Sequence, residues 1–284
     1  MKVVLFCGGQ GMRLRDYSDL TPKPMVNIGY RPILWHVMKY YAHFGHRDFI
    51  LCLGHKADVI KNYFRHYDET VSNDFVLSEG SKIELLNSDI DDWRITFVDT
   101  GISASIGQRL AAVEPYLEGE EVFLANYADG LTDLDLDRYL EDVLPTARLA
   151  TFLCVRPTNT FHVVSALNEG LVTGIAPVSE SDVWINAGYY VFRRAIFDSI
   201  NEGEDLVTEP FARLIERGQL LAYRYTGFWT AMDTFKDKET LDSRYIRGDA
   251  PWEVWRRDGG NGGGTSTGLP DGTRTTVTER TDRA

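Results

Sequence analysis

VVLFCGGQGMRLRDYSDLTPKPM, residues 3–25, opens on a short apolar run that stops dead at Gly8. Residues 3–6 have the length and composition of a strand buried on both faces. Gly8, Gly9 and Gly11 then make a loop whose bare backbone can approach an anion and aim several N–H groups at it. Arg13 and Lys23 follow, with Pro22 and Pro24 fixing the chain on either side of the lysine. A dinucleotide fingerprint needs a third glycine where Leu14 stands, and a P-loop needs Gly-Lys-Ser/Thr, which is absent. Two readings remain: a plain strand-to-helix turn, or a glycine loop around the phosphates of a nucleotide. The paired cations favour the second. Arg15 and Arg31 read as solvated surface charges.

Outward from this loop, strand and helix signals alternate. Residues 32–44 begin with Pro32 at a first helical position, and Ile33, Leu34, Val37, Met38 and Tyr41 keep the helical period. Strands are expected at 49–53, 95–98 and 121–127, with helices at 58–67 and 107–113 between them. This alternation predicts an α/β fold: a Rossmann-like, mostly parallel mixed sheet with helices on both faces. Later runs at 150–155, 162–167 and 184–192 read as strands that extend the sheet and wall a pocket. Residues 208–217 and 232–245 read as closing helices. Residues 257–284 are almost free of apolar side chains and are expected to be a disordered tail.

The totals narrow the function. The 284 residues carry a net charge of −12, which argues against nucleic acid or an acidic membrane surface as partner. Cys7, Cys52 and Cys154 each lie in an apolar run and read as reduced thiols. No run is long enough to span a membrane, and the opening run is too short for a secretion signal, so a cytoplasmic location is expected. No Ser/His/Asp set or Cys/His pair stands out.

The pattern G-G-x-G-x-R-L followed by P-K-P-M resembles the sugar-1-phosphate nucleotidyltransferases, and within them the cytidylyltransferases that act on glucose 1-phosphate. The stretches DFILCLGHKADVIKNYF, VDTG (98–101), YADGLTDLD (127–135), INAGYYVF (185–192), GFWTAMDTFKDK (227–238) and APWEVW (250–255) continue the likeness in order to about residue 255. The resemblance implies one nucleotidyltransferase domain over 1–256, with a nucleotide part to about 130 and a sugar part from about 131. It implies Mg²⁺ as cofactor, CTP and a sugar 1-phosphate as substrates, a CDP-sugar (CDP-glucose) and pyrophosphate as products, and possible assembly as a trimer or hexamer. Residue by residue, it assigns Gly8, Gly9, Gln10, Gly11, Met12, Arg13, Lys23, Ala104, Arg109 and Ala128 to the nucleotide. Arg13 and Lys23 are the catalytic cations. Asp129, after the strand at 121–127, and Asp233, before the late helix, are the metal ligands. Taken singly, Asp129 reads equally as the turn residue of Asp-Gly, and Asp233 as a helix N-cap. Asn186, Gly188 and Trp229 are assigned to the sugar.

The chain departs from the family pattern around these residues. Met12 replaces a small hydroxyl residue and Ala128 a glycine, and the loop at 100–110 carries Ile102, Ala104, Ile106 and Gln108. The family's lysine for the sugar phosphate has no counterpart, since no lysine lies between Lys82 and Lys236. Arg156 and Arg194 are the candidates to replace it. His162 stands where the family has a glycine, as a sugar neighbour or simply a strand histidine.

Overall fold

The computed structural model describes residues 1–9, 21–157 and 161–257. The opening run forms β1 (Lys2–Phe6), flanked in parallel by β2 (Asp48–Leu53) and β4 (Val122–Tyr127). β3 (Arg94–Asp99) extends the sheet beyond β2, also in parallel. Past β4 the direction reverses: β7 (Tyr190–Arg193) is antiparallel to β4 and to β5 (Ala150–Val155). The short β6 (Ile185–Asn186) pairs with the other end of β5, and β8 (Leu220–Tyr225) closes that edge parallel to β5.

The run 3–6 is apolar throughout because both of its faces are covered. Val3 and Leu5 enter one core layer, Val4 and Phe6 the other. The first layer takes in α1 (Ile33–His43), α2 (Ala57–Arg65), α4 (Leu136–Val143) and α6 (Phe235–Ile246), through Ile33, Ile60, Leu136 and Leu241. The second takes in α3 (Ile106–Ala112) and α5 (Glu209–Glu216), through Leu110 and Leu214. Chain order reverses between β1 and β4, the place where open α/β sheets put ligands at the carboxyl ends of their strands. Among the described residues, no helix is long and apolar enough to cross a membrane.

Several expectations need correction. The run 184–192 is not one strand: Gly188 at φ +78° and Tyr189 at φ +49° break it into β6 and β7. Residues 162–167 do not extend the sheet; His162–Ala166 pairs with Val172–Pro177 in a separate, exposed hairpin. Pro32 is the cap before α1, one residue earlier than expected. Arg31 is buried, not solvated. Its guanidinium donates to Ser72 and the Asp68 carbonyl, lies over the Tyr67 ring and faces Asp89. Of the expected tail at 257–284, Arg257 still belongs to a short helix, Val254–Arg257, and residues 258–284 lie outside the described residues.

The APWEVW stretch docks on α1. Buried His36 bonds through Nε2 to the Ile28 carbonyl (3.0 Å), and the Trp252 indole N–H donates to its Nδ1 (3.3 Å). That arrangement uses the neutral ring, and a proton on Nδ1 would face the indole N–H head-on. Burial accordingly lowers the pKa of His36 from 6.5 to about 4. The unfolded chain binds this proton below its ordinary value and the native chain only near the lowered one. Stability should therefore fall as pH drops through that window, by up to about 3 kcal/mol. Denaturant unfolding between about pH 7 and pH 4.5 should show this loss and a shallower one in His36→Gln. Identical slopes in the two proteins would contradict it.

Candidate functional site

Lys23 sits in a single 3-10 turn, Lys23–Met25, entered from Pro22 and pinned by the bonds Met25 N–H to Pro22 O and Val26 N–H to Lys23 O. With Pro24 and Met25 buried beneath it, the turn directs the lysine toward the ends of β1 and β4. There its ammonium bonds two carboxylates at once, Asp129 at 2.5 Å and Asp233 at 2.6 Å.

A short ladder brings those two acids together. Gly130–Thr132 pairs antiparallel with Trp229–Ala231, and the Met232 N–H continues the ladder to the Asp129 carbonyl. Asp233 is the next residue. It is not the N-cap of α6: Thr234 is, in a capping box with Asp237. The Asp233 carboxylate is thereby left for the cavity. Burial lowers the Lys23 pKa, but the charges and hydrogen bonds of Asp129 and Asp233 outweigh it, so the net shift is upward and the ammonium stays charged.

Lys23 and both aspartates line a cavity of about 580 Å³, together with Gly8, Gly9, Ala104, Arg109 and Ala128. That volume suits a nucleotide-sized ligand. Gln10, Gly11, Met12 and Arg13 lie outside the described residues. Asn186, Gly188 and Trp229 do not line this cavity; they build the wall behind it. The Asn186 Oδ1 accepts the Gly188 N–H (2.9 Å), and the Trp229 indole donates to the Ala187 carbonyl (3.1 Å). A Cβ on Gly188 would fall 2.6 Å from the Asn126 Oδ1, so this glycine is required by space as well as by its φ.

Arg109 is 2% exposed, and its guanidinium donates to four neutral oxygens: the carbonyls of Gly8, Leu53 and Ile102, and the Thr100 hydroxyl. It ties together the segments that leave β1, β2 and β3. No carboxylate of the described residues comes within ion-pair distance of it, so a buried positive charge stands in the cavity wall without an anion. A Cβ on Gly8 would lie 2.0 Å from the Arg109 Nη1, and one on Gly54 2.9 Å from the same atom.

The departure at Gln108 has a structural cause. Ser105 caps α3, and the Gln108 side chain accepts the Ser105 N–H in a capping box. Of the candidates for the missing lysine, Arg194 is held by the Leu117 carbonyl and faces Glu114. Arg156 bonds the Ser179 carbonyl and lies over Trp184. His162 is exposed on its hairpin. Sequence reasoning missed Gly54 and the cavity residues Tyr127 and Asp205. Gly54 and Tyr127 fall inside the quoted stretches DFILCLGHKADVIKNYF and YADGLTDLD, whereas no quoted stretch contains Asp205.

A nucleotidyl transferase family model matches residues 2–242. Glucose-1-phosphate cytidylyltransferase of Salmonella typhimurium is 36% identical over 257 residues, 90% of this chain and 100% of the relative. Mannose-1-phosphate guanylyltransferase of Mycobacterium tuberculosis is 27% identical over 87% of this chain and 65% of its own. Among solved structures, UDP-glucose pyrophosphorylase with UDP-glucose superposes at a TM-score of 0.63 and 14% identity, covering 87% of this chain and 98% of that one. HddC from Yersinia pseudotuberculosis superposes at 0.60 and 19% identity, covering 86% and 99%. At those identities the two structures bear on the fold.

Proposed function

Because the chain belongs to the nucleotidyl transferase family, we propose that it transfers a cytidylyl group from CTP to a sugar 1-phosphate, releasing pyrophosphate and a CDP-sugar, CDP-glucose first among them. The observation that carries this reading is the convergence of Asp129 and Asp233 on Lys23 beside the glycine loop. The cytidylyl assignment draws support from the Salmonella relative.

The chemistry is substitution at the α-phosphorus. An oxygen of the sugar phosphate forms the new P–O bond, and the bond to the β-phosphate breaks. The nucleophile is already an anion near neutral pH, so no general base is required. What the site must supply is alignment and charge. Lys23 is placed to meet the α-phosphate and the incoming sugar phosphate, while Gly9, with open space where a Cβ would stand, leaves the end of β1 open to close approach. Arg13 is assigned to the β- and γ-phosphates, so that it steadies the leaving pyrophosphate. Arg109 sets the loop ends that frame the nucleotide.

Among the described residues no cluster of three or more His, Cys, Asp or Glu side chains is arranged to hold a metal. Two carboxylates sharing one ammonium suit Mg²⁺, which commonly takes one or two carboxylates and completes its shell with phosphate oxygens and water. When bound, Mg²⁺ would neutralise phosphate charge. Asp129 and Asp233 are the residues that would hold it.

We assign residues to about 130 to the nucleotide and those from about 131 to 256 to the acceptor. The absent lysine, with Arg194 engaged elsewhere, favours a second form of the reading: the same reaction with another acceptor or another triphosphate. Exposed apolar side chains on the hairpins at 75–85 and 162–177, such as Leu77, Val164 and Ile175, support self-association. Light scattering should then give a trimer or hexamer mass; a monomer mass would contradict that part.

The test is a panel of triphosphates and sugar 1-phosphates with Mg²⁺, read by pyrophosphate release. Release with CTP and glucose 1-phosphate is expected. Release only with another pair moves the assignment to the second form, and silence with nucleotide still bound leaves a non-catalytic homologue.

A further inference from the structure

The cavity holds a third carboxylate, Asp205, apart from the Lys23 cluster. The loop bearing it is fixed. Ser105 donates to the Glu204 carbonyl, the Glu204 side chain pairs with Arg213, and a Cβ on Gly107 would fall 2.5 Å from that same carbonyl. Among the described residues the Asp205 carboxylate has no cation within ion-pair distance. Its one side-chain hydrogen bond there is a long one from the Val207 N–H, at 3.4 Å.

Behind Tyr127, which lines the same cavity, runs a directed chain of hydrogen bonds. The Gly188 N–H needs an acceptor, so it fixes the Asn186 oxygen toward itself and the Asn186 amide N–H₂ toward the Tyr190 hydroxyl, at 2.7 Å. Tyr190 is fully buried, so its own proton must also find an acceptor, and the Tyr127 oxygen lies 2.9 Å away. Tyr127 therefore accepts from inside the protein and keeps its proton for the cavity that it lines. Burial is the main cause of the raised Tyr127 and Tyr190 pKa values, and the charge of Asp205 adds to both. Asp205 and Tyr127 thus line one cavity.

We propose that Asp205 and Tyr127 form a hydroxyl-reading pair that selects the sugar of the acceptor. A carboxylate only accepts, and this phenol is left to donate. A sugar hydroxyl is the ligand group that satisfies both at one oxygen. Tyr127 packs beside Gly188, where a Cβ would fall 3.0 Å from its ring, whereas the phosphates belong to the glycine loop and Lys23. The carboxylate also disfavours acceptors with a second negative charge near that hydroxyl. The proposal rests on the sugar 1-phosphate reading above.

The test compares wild type, Asp205→Ala, Asp205→Asn and Tyr127→Phe by steady-state kinetics, each checked for folding by thermal melting. Asp205→Ala should raise KM for the sugar 1-phosphate about 10- to 100-fold, with KM for the triphosphate within about twofold. Asp205→Asn and the isosteric Tyr127→Phe should give smaller rises of the same kind. A deoxy sugar 1-phosphate lacking the recognised hydroxyl should be a poor acceptor for wild type and little worse for Asp205→Ala. A rise in KM for the triphosphate instead would place Asp205 at the ribose, and unaltered constants would remove it from recognition; either overturns the proposal. Wild-type silence with every pair would take down the underlying reading as well, and so is distinguishable from failure of the pair alone.

Discussion

Asp129→Asn is expected to lower kcat by about 10³-fold while stability changes by no more than about 1 kcal/mol. Two like charges converge on one ammonium in this site, and both carboxylates keep access to solvent: their side chains are 25% and 47% exposed. Neutralising Asp129 removes one ion pair and one repulsion together, so the folded state loses little. The proposed chemistry loses a ligand for the divalent cation, and with it much of the neutralisation of phosphate charge. Turnover and unfolding should therefore separate. Activity that falls only in proportion to lost stability would mean that Asp129 is a structural residue.

The second large effect concerns Gly8. A methyl group there would fall 2.0 Å from the Arg109 Nη1, so Gly8→Ala must displace a guanidinium that four hydrogen bonds hold in place. The side chain is flexible in principle, but it is buried, and moving it leaves the carbonyls of Gly8 and Ile102 without their Arg109 donor. The expected cost is roughly 2–4 kcal/mol of folding stability, with loss of nucleotide binding. Arg109→Ala should cost a similar amount. The double variant should be far less than additive, because the clash disappears with the guanidinium. Denaturant unfolding of the four proteins closes the cycle, and additive effects would show that the two residues act independently.

What the sequence disclosed and what it hid follow from the range of the interactions. The parallel half of the sheet was legible because β1, β2 and β4 are short apolar runs buried on both faces, with helices following in the chain. The strand at 184–192 was misread because its break depends on the space beside Asn126, which no local pattern reports. Asp129 and Asp233 could be named only by resemblance. Their meeting depends on the ladder between Gly130–Thr132 and Trp229–Ala231, set by long-range pairing. Arg109 was marked for the nucleotide, but its clamp on three strand ends needs coordinates to be seen. Asp205 carried no local signal at all, since it reads as one acid among several in an exposed loop.

The account turns on the two aspartates being the ligands of a divalent cation beside the phosphates of a nucleotide. Crystals grown with CTP and Mn²⁺, read by anomalous scattering, test this directly. The expected result is a manganese peak within coordination distance of both Asp129 and Asp233, touching phosphate oxygens, with Lys23 turned from the carboxylates toward the α-phosphate. Nucleotide bound in the cavity with the metal away from both carboxylates, or with Lys23 still bridging them, would contradict it.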